Sequence, residues 1–429
     1  MSAAGAVSAV SSVVIVGSGL AGYTVARELR KHDRECHITV VTADGGEFYS
    51  KPTLSNAFAL KKDPHSLALF TASHLAGQHD LRILTMSRVM WIDRGSRVIG
   101  LDDDRLGPLP YDRLVLAVGG EPIRLKLGGS AADRVHSVNG LADYRRFRSH
   151  LEPNARVAIL GAGLVGCEFA NDLAAAGHPV QVIDIASKPL PRFWPAPMAE
   201  DFCERLGKVG IIWHFGHGVE RIELAKDAIN DAVGAPASRS LSITLDNGTV
   251  LQADTVLSAV GLSPNTALAK TAGLAVNRGI AVDRYLQTSD KHVYALGDCA
   301  EVEGLLLPYI MPIMHAGRAL ASTLSGVRSA VAYSAMPVVL KTPAHPAVFF
   351  PPAVASGGMW HVEGEEAGMR AFFRAADGTL LGAALSGVCV REKDLVAKQL
   401  PALLTPVPLE SSGARSGGNL LSAADGPAL

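Results

Sequence analysis

The chain has 429 residues, more than one hydrophobic core usually serves, so two or three domains are expected. Lys and Arg number 40 against 41 Asp and Glu, a balance that argues against binding to nucleic acid or to an anionic membrane. The apolar runs are far shorter than the roughly 18 residues of a membrane span and are typical of buried parallel strands.

The first predicted element is a βαβ unit over residues 13–45. It reads as strand "VVIV", loop "GSGLAG", helix "YTVARELRKH" and strand "HITVVTAD". Gly17 permits a tight turn, Gly19 lets the backbone approach a pyrophosphate, and Gly22 allows close packing of helix and strand. The position of this loop between a buried strand and a helix predicts a dinucleotide site. The residues before the strand have no basic region, which argues against a signal peptide.

The acidic ribose ligand expected at the end of the second strand is displaced. Thr42 stands twenty residues beyond Gly22, and Asp44 is the nearest acid. Either side chain suits a hydrogen bond with a ribose hydroxyl, and Asp44 equally suits a turn. The sequence leaves both assignments open.

Residues 46–75 are predicted as loop and helix, with a turn at "YSKPTLS", and a hairpin and a buried strand follow up to about residue 122. A second βαβ unit begins at residue 156, with loop "GAGLVG" containing Gly161, Gly163 and Gly166. Asp184 ends its second strand, where a carboxylate accepts from the 2′-OH of NAD and repels the 2′-phosphate of NADP. NADH is therefore the predicted ligand.

The rest of the chain completes this plan. Residues 225–240 are small and polar and predict an excursion between two strands, and "YALGDCA" predicts a buried strand followed by Asp298. Beyond about residue 330 the pattern predicts a small α+β domain, and a disordered tail is predicted from residue 406. The predicted units are 1–122 and 256–330 (first dinucleotide domain, discontinuous), 123–255 (second, inserted), 331–405 (C-terminal domain) and 406–429 (tail).

The five cysteines are widely spaced, and no pair forms CxxC or CxxxxC. Neither a zinc ribbon nor a local redox disulfide is predicted, no metal site is expected, and the pattern is typical of a reducing cytoplasm. Cys167 and Cys299, which follow the second loop and Asp298, are predicted to be small buried side chains rather than nucleophiles.

Two dinucleotide folds imply a hydride donor and a flavin that receives it. The sequence resembles the FAD-dependent pyridine nucleotide oxidoreductases, and "YSKPTLS", "GAGLVGCEFANDL", "SAVGLSP", "YALGDCAEV" and "KTPAHP" are similar to the forms found in their rubredoxin reductase branch. The resemblance implies an α/β fold with two Rossmann-like domains, the FAD domain discontinuous and the NAD domain inserted, plus the small C-terminal domain. It implies FAD binding by Gly17, Ser18, Gly19, Leu20, Ala21, Gly22, Thr42, Ala43, Asp44, Lys51, Val89, Asp298 and Lys341, and NADH binding by Gly161, Gly163, Leu164, Gly166, Glu168 and Asp184.

The resemblance also implies a reaction. The region "YSKPTLSNAF" has no cysteine pair, so a hydride from NADH would leave FAD as single electrons for rubredoxin, in an alkane hydroxylase system. Lys51 and Lys341 would place positive charge near the flavin, and Glu168 would orient the nicotinamide or pair with a lysine. Docking to an acidic rubredoxin is expected to be transient and electrostatic. The alternatives are a ferredoxin reductase, an NADH-binding flavoprotein sensor and an NADH oxidase.

Overall fold

The computed structural model describes residues 10–225, 240–352, 357–365 and 367–407. Most of the predicted 225–240 excursion and of the predicted tail lies outside these residues. Within them, no helix combines the length and the apolar character that crossing a bilayer requires.

The first part of the chain alternates strands and helices around a glycine loop. Its elements are β1 (Ser12–Val16), α1 (Leu20–His32), β2 (His37–Val41), a 3₁₀ helix (Lys51–Asn56), α2 (Ala72–His79), β3 (Arg82–Leu84), β4 (Val89–Asp93), β5 (Val98–Leu101), β6 (Leu109–Pro110), β7 (Arg113–Leu116) and β8 (Gly120–Pro122).

The middle part of the chain also alternates strands and helices around a glycine loop. Its elements are β9 (His136–Ser137), α3 (Leu141–His150), β10 (Val157–Leu160), α4 (Leu164–Ala175), β11 (Val180–Asp184), α5 (Ala196–Lys208), β12 (Ile211–Phe215), β13 (Val219–Leu224), β14 (Leu241–Leu245), β15 (Val250–Ala253) and β16 (Thr255–Ser258).

The last part first returns to the N-terminal unit and then forms a separate sheet. Its elements are β17 (Leu262–Pro264), α6 (Ala267–Thr271), β18 (Ile280–Val282), β19 (Val293–Ala295), β20 (Ala300–Val302), α7 (Ile310–Leu324), β21 (Val338–Leu340), β22 (Ala347–Phe350), β23 (Met359–Glu365), β24 (Gly368–Arg374), β25 (Leu380–Ser386) and α8 (Lys393–Ala397).

Two parallel five-stranded sheets form the dinucleotide folds. The first has the order β19-β7-β1-β2-β3, so a strand from the returning chain completes it, and the second has the order β12-β11-β10-β16-β9. The central strands β1 and β10 are buried along almost their whole length, as expected for parallel strands covered on both faces. The predicted fold class, with one discontinuous and one inserted Rossmann-like domain, is confirmed.

The C-terminal sheet is antiparallel, in the order β21-β22-β25-β24-β23, and α8 completes a small α+β domain. One face of this sheet shares a core with α4 and α5: Phe349 packs edge-on against Trp194, with ring centroids 5.0 Å apart. The other face packs around Phe350 and Val396. The C-terminal sheet is therefore built onto the inserted domain.

Local predictions differ from the structure in two ways. The helices α1 and α4 each begin three residues earlier than predicted, because the ends of the glycine loops are already helical: Tyr23 N–H donates to Gly19 O. The turn predicted at "YSKPTLS" is a 3₁₀ helix from Lys51 to Asn56, with Pro52 in its first turn, where the fixed φ of proline suits helical backbone.

An ion pair within the inserted unit joins Arg156, directly before β10, to Asp254, directly before β16. Arg156 donates to Asp254 from its backbone N–H (2.9 Å), Nε (3.0 Å) and Nη2 (2.6 Å), and these bonds lower the pKa of that carboxyl from 3.8. A lowered folded pKa stabilises the fold above pH 3.8, and the benefit is lost as pH falls through the folded value. We expect Asp254→Asn to lower the free energy of unfolding by about 1–2 kcal/mol at pH 7 in urea titrations.

The matched control for this substitution is Asp80→Asn, which removes the exposed partner of Arg30 and should leave the urea midpoint unchanged. The difference between Asp254→Asn and wild type should narrow below pH 3.8. A difference that stays constant down to the acid transition would contradict the assignment.

Candidate active site at the two glycine loops

The two glycine loops have the same construction. Gly17 and Gly161 have φ of +114° and +104°, a region that favours glycine. A Cβ on Gly22 would lie 1.9 Å from Gly17 O, and one on Gly166 would lie 1.9 Å from Gly161 O. The third glycine of each loop is thus required for closure of helix onto strand.

The middle glycines differ from the other glycines of the loops. Around Gly19 and Gly163, a Cβ would find no protein atom within 4 Å. This open space lies at the N-terminus of α1 or α4, where backbone N–H groups and the helix dipole favour a pyrophosphate. Both loops therefore fit a dinucleotide, and the predicted residues Leu20, Ala21 and Leu164 are the first residues of the two helices.

Polar side chains converge beside the first loop. Ser18 Oγ lies 2.8 Å from Thr42 Oγ1, and Asp44 Oδ1 accepts from both hydroxyls and from Gly46 N–H. Thr42 is buried, whereas Asp44 and the neighbouring Ala43 are exposed. The carboxylate of Asp44 is therefore the more accessible of the two groups that the sequence offered for the FAD ribose.

The predicted residue Val89 begins β4 close to this loop. It is half-buried and pairs with Leu101. Two residues earlier, Ser87 N–H donates to Thr42 O, at 2.9 Å. The start of β4 therefore lies next to the segment that contains Thr42, Ala43 and Asp44.

Asp184 supports the second loop directly. Its Oδ2 accepts from Ala162 N–H at 2.5 Å, and its Oδ1 accepts from Ala186 N–H at 2.7 Å. Each carboxylate oxygen has a further lone pair for a ligand hydroxyl. The side chain thus fixes the loop and still fits the predicted ribose contact.

Lys51 lies between two parts of the chain that are distant in sequence. Its Nζ donates to Asn139 Oδ1 at 2.6 Å, and Asn139 Nδ2 donates to Gly120 O at 2.9 Å. Burial lowers the pKa of Lys51, and the nearby Asp298 opposes this. Burial raises the pKa of Asp298, and Lys51 opposes this. Lys51 and Asp298, for both of which the resemblance implies a contact with FAD, therefore lie close enough to influence each other's pKa.

The buried Glu168 and the half-buried Lys341 form an ion pair. Lys341 Nζ donates to Glu168 Oε2 at 2.5 Å and Lys341 N–H to Glu168 Oε1 at 3.0 Å. Ser55 Oγ also donates to Oε2 at 2.6 Å, and the Lys341 ammonium reaches Pro52 O at 2.8 Å. The 3₁₀ helix that begins at Lys51 therefore contacts both Glu168 and Lys341.

Cys167 and Cys299 follow Gly166 and Asp298, and both cysteines are fully buried as predicted. Burial raises the pKa of Cys167 well above its usual value and that of Cys299 to about 12. Both thiols donate to backbone carbonyls, Cys167 to Ala162 O and Cys299 to Leu296 O. They are packing residues, not nucleophiles.

Among the residues that the structure describes, no group of three or more His, Cys, Asp and Glu side chains could hold a metal ion.

The structure adds residues that the sequence did not single out. Ser55 and Asn139 contact the predicted acid and lysine, and Asn171 and Asp172 continue the buried polar face of α4. The spacing of Asn171 and Asp172 from Glu168, three and four residues, is a signal for a shared helix face. Nothing local in the sequence marks Asn139 as a partner of Lys51.

Comparison with known proteins agrees with this geometry. Residues 11–322 match the family model described as pyridine nucleotide-disulphide oxidoreductase, and residues 330–400 match a rubredoxin binding C-terminal domain. The chain is 44% identical over 392 residues to the rubredoxin-NAD(+) reductase of Alcanivorax borkumensis, covering 91% of this chain and 99% of that protein. It is also 44% identical over 400 residues to the rubredoxin-NAD(+) reductase of Acinetobacter baylyi, covering 92% and 99%.

Solved structures show the same architecture. The chain is similar to putidaredoxin reductase in its covalent complex with putidaredoxin, with a TM-score of 0.80, 27% identity, and coverage of 92% of this chain and 94% of that chain. It is also similar to a ferredoxin reductase from Rhodopseudomonas palustris, with a TM-score of 0.78, 26% identity, and coverage of 91% and 95%. The chain belongs to the pyridine nucleotide-disulphide oxidoreductase family.

Proposed function

We propose that the chain is an NADH-dependent FAD flavoprotein that passes electrons one at a time to a rubredoxin. The observation that carries this proposal is the contact between two matched regions. The segment similar to rubredoxin-binding domains contains Lys341, and Lys341 pairs with Glu168 on the helix that follows the NADH loop. The acceptor-side domain thus touches the donor-side helix.

The residues of the chain fit both cofactors. FAD held there would supply a centre that accepts two electrons as a hydride and can release them singly. The loop of Gly17, Gly19 and Gly22 would hold its pyrophosphate, and Asp44 would hold its ribose. The loop of Gly161, Gly163 and Gly166 would hold NADH, with Asp184 at the adenine ribose.

Lys51, Lys341 and Glu168 position and tune the site. A lysine ammonium beside the flavin ring stabilises the negative charge that hydride transfer brings. Glu168 fixes the Lys341 ammonium and carries the opposite charge toward the nicotinamide side. No side-chain acid or base is needed for hydride transfer, so these groups act by placement and charge.

Electrons leave without a protein dithiol in this proposal. The segment of the 3₁₀ helix has no cysteine, and burial disfavours the thiolates of Cys167 and Cys299. A mononuclear iron centre accepts one electron at a time, as the proposal requires.

A ferredoxin is the second candidate acceptor. The observation that favours it is the 26–27% identity, over nine-tenths of the chain, to solved reductases named for putidaredoxin and ferredoxin. All the cofactor residues would serve either acceptor equally.

Comparison of the two iron proteins tests the acceptor. With NADH as donor, rubredoxin should accelerate cytochrome c reduction at least tenfold more than a [2Fe-2S] ferredoxin does at equal concentration, and added salt should weaken the effect. A higher rate of cytochrome c reduction with ferredoxin than with rubredoxin would overturn the proposal. Bleaching of the flavin by NADH within the dead time of manual mixing is expected, and its absence would favour a sensor.

The preference for NADH tests Asp184. Asp184→Asn keeps an acceptor oxygen for Ala162 N–H, turns an amide NH2 toward Ala186 N–H, and removes the charge that repels a 2′-phosphate. We expect the ratio of kcat/KM for NADH to that for NADPH to fall about tenfold, which corresponds to about 1.4 kcal/mol. Ferricyanide reduction is the assay, and an unchanged ratio would contradict the ribose assignment. Asp246→Asn, at an exposed turn, is the control.

We further propose that this enzyme works in the cytoplasm and supplies an alkane hydroxylase system. The absence of paired cysteine motifs and the similarity of "KTPAHP" and "YSKPTLS" to the rubredoxin reductase forms support this assignment.

A further inference from the structure

The helix α4 carries a buried polar face. Glu168, Asn171 and Asp172 are spaced by three and four residues, so they share one side of the helix, and their exposed fractions are 5%, 2% and 0%. Buried polar groups are kept in proteins when they have partners. The partners of this face lie in two other parts of the chain.

Asn171 holds the segment that carries Lys341. Its Oδ1 accepts from Ala344 N–H at 3.2 Å, three residues after the lysine. Within the same turn, His345 N–H donates to Thr342 O, and Thr342 Oγ1 donates to His345 O. The turn is therefore a compact unit, and its attachment to Asn171 fixes the backbone from which Lys341 projects.

Asp172 holds the segment that carries Lys51. Its Oδ2 accepts from Phe58 N–H at 3.0 Å and its Oδ1 from Ala59 N–H at 2.8 Å, just after the 3₁₀ helix that begins at Lys51. Burial raises the pKa of Asp172, and the two N–H groups oppose that rise. Both carboxylate oxygens are thus used to anchor one end of this helix.

We propose that Asn171 and Asp172 are positioning residues for hydride transfer, Asn171 acting through Lys341 and Asp172 acting through Lys51. The inference rests on the proposed function, because it assigns both lysines to the flavin. The helix that starts at the NADH loop then sets the place of the positive charges on the flavin side. The same helix, α4, would thus both bind NADH and position the charges that tune the flavin.

Double-mutant cycles test this proposal in the FAD-loaded full chain. The variants are Asn171→Ala and Asp172→Asn, each alone and combined with Lys341→Met or Lys51→Met. For each we would measure the limiting rate of flavin reduction by NADH in stopped flow, the flavin midpoint potential and the Kd for NADH. Thermal midpoints of the apoproteins report any purely structural effect.

We expect Asn171→Ala to lower the limiting rate about fivefold and to make the midpoint potential more negative, with the Kd for NADH unchanged. In the Lys341→Met background, Asn171→Ala should have no further effect on either quantity, but in the Lys51→Met background it should keep its full effect. Asp172→Asn should have no further effect in the Lys51→Met background, and it should keep part of its effect in the Lys341→Met background, because the 3₁₀ helix that it anchors also contacts the Lys341 ammonium. This different dependence of the two variants on the two lysines is not expected from loss of stability alone.

Equal effects of Asn171→Ala in the wild-type and Lys341→Met backgrounds would overturn the positioning role, and so would a lower thermal midpoint with an unchanged rate and potential. If Asp172→Asn does not retain FAD, the Asn171 cycle decides the proposal. Failure of the wild-type flavin to be reduced by NADH would instead overturn the proposed function, so the two failures are distinguishable.

Discussion

Gly22→Ala should yield a protein that purifies without FAD. The new Cβ would lie 1.9 Å from Gly17 O, a backbone atom that has no freedom to rotate away, so α1 would have to move off β1. We expect loss of the flavin absorbance near 450 nm and a lower thermal midpoint. Full FAD occupancy in this variant would contradict the described closure of the loop.

Gly19→Ala is the matched partner of this substitution. Its Cβ meets no protein atom within 4 Å, so the apoprotein should keep its thermal midpoint. The methyl group occupies the space in which the pyrophosphate would lie, and the Kd for FAD should rise on the order of 100-fold, or about 2.7 kcal/mol. Fluorescence titration of the apoprotein with FAD measures this.

The second loop supplies the corresponding control. Gly163→Ala also has open space around its Cβ, but it lies at the second loop, which we propose binds NADH. It should raise the Kd for NADH and leave FAD bound. If Gly19→Ala and Gly163→Ala impair the same cofactor, the assignment of one loop to each cofactor is wrong.

Glu168→Gln should slow flavin reduction by NADH on the order of 10-fold to 100-fold while FAD stays bound. A glutamine side chain has one acceptor oxygen, whereas the carboxylate accepts from Lys341 N–H, the Lys341 ammonium and the Ser55 hydroxyl. One of its contacts is therefore replaced by an amide N–H facing a donor. The limiting rate in stopped flow is the measurement.

The control for Glu168→Gln is Glu204→Gln, which removes an exposed helix carboxylate paired with Lys208 and should leave the rate unchanged. Lys341→Met should slow the reaction by a similar factor and make the flavin potential more negative. If Glu168→Gln reduced the flavin at the wild-type rate, Glu168 would have no role in hydride transfer and would only stabilise the start of α4 through the helix dipole.

The parts of the site visible in the sequence are those fixed by local geometry. The glycine loops are read directly, because turn, approach and closure each require glycine at a set spacing. The strands on either side are read from their apolar runs, since parallel strands bury both faces. The starts of α1 and α4 were misplaced because the loop backbone is already helical before the apolar pattern begins.

The contacts between distant segments could not be read in this way. Glu168 and Lys341 are 173 residues apart, and the resemblance to a known family, not any spacing, suggested that they could pair. The anchors made by Asp172 go to backbone N–H groups, which every residue except proline offers, so no complementary side chain marks the partner. Asn139 also bonds a backbone group, since its Nδ2 donates to Gly120 O, so no complementary side chain marks this partner either.

The core that the C-terminal sheet shares with α4 and α5 has a practical consequence for engineering. Phe349 and Leu340 of this sheet pack in one core with Trp194. Separating the C-terminal domain from the rest of the chain at residue 331 would therefore expose an apolar face of the sheet to water. Transferring the C-terminal domain, residues 331–405, into another reductase therefore requires a host whose inserted domain presents a matching apolar surface. Chimeras that exchange residues 123–255 and 331–405 together, and keep the host's equivalents of 1–122 and 256–330, are the design this packing favours, because β19 and α7 belong to the core of the first sheet.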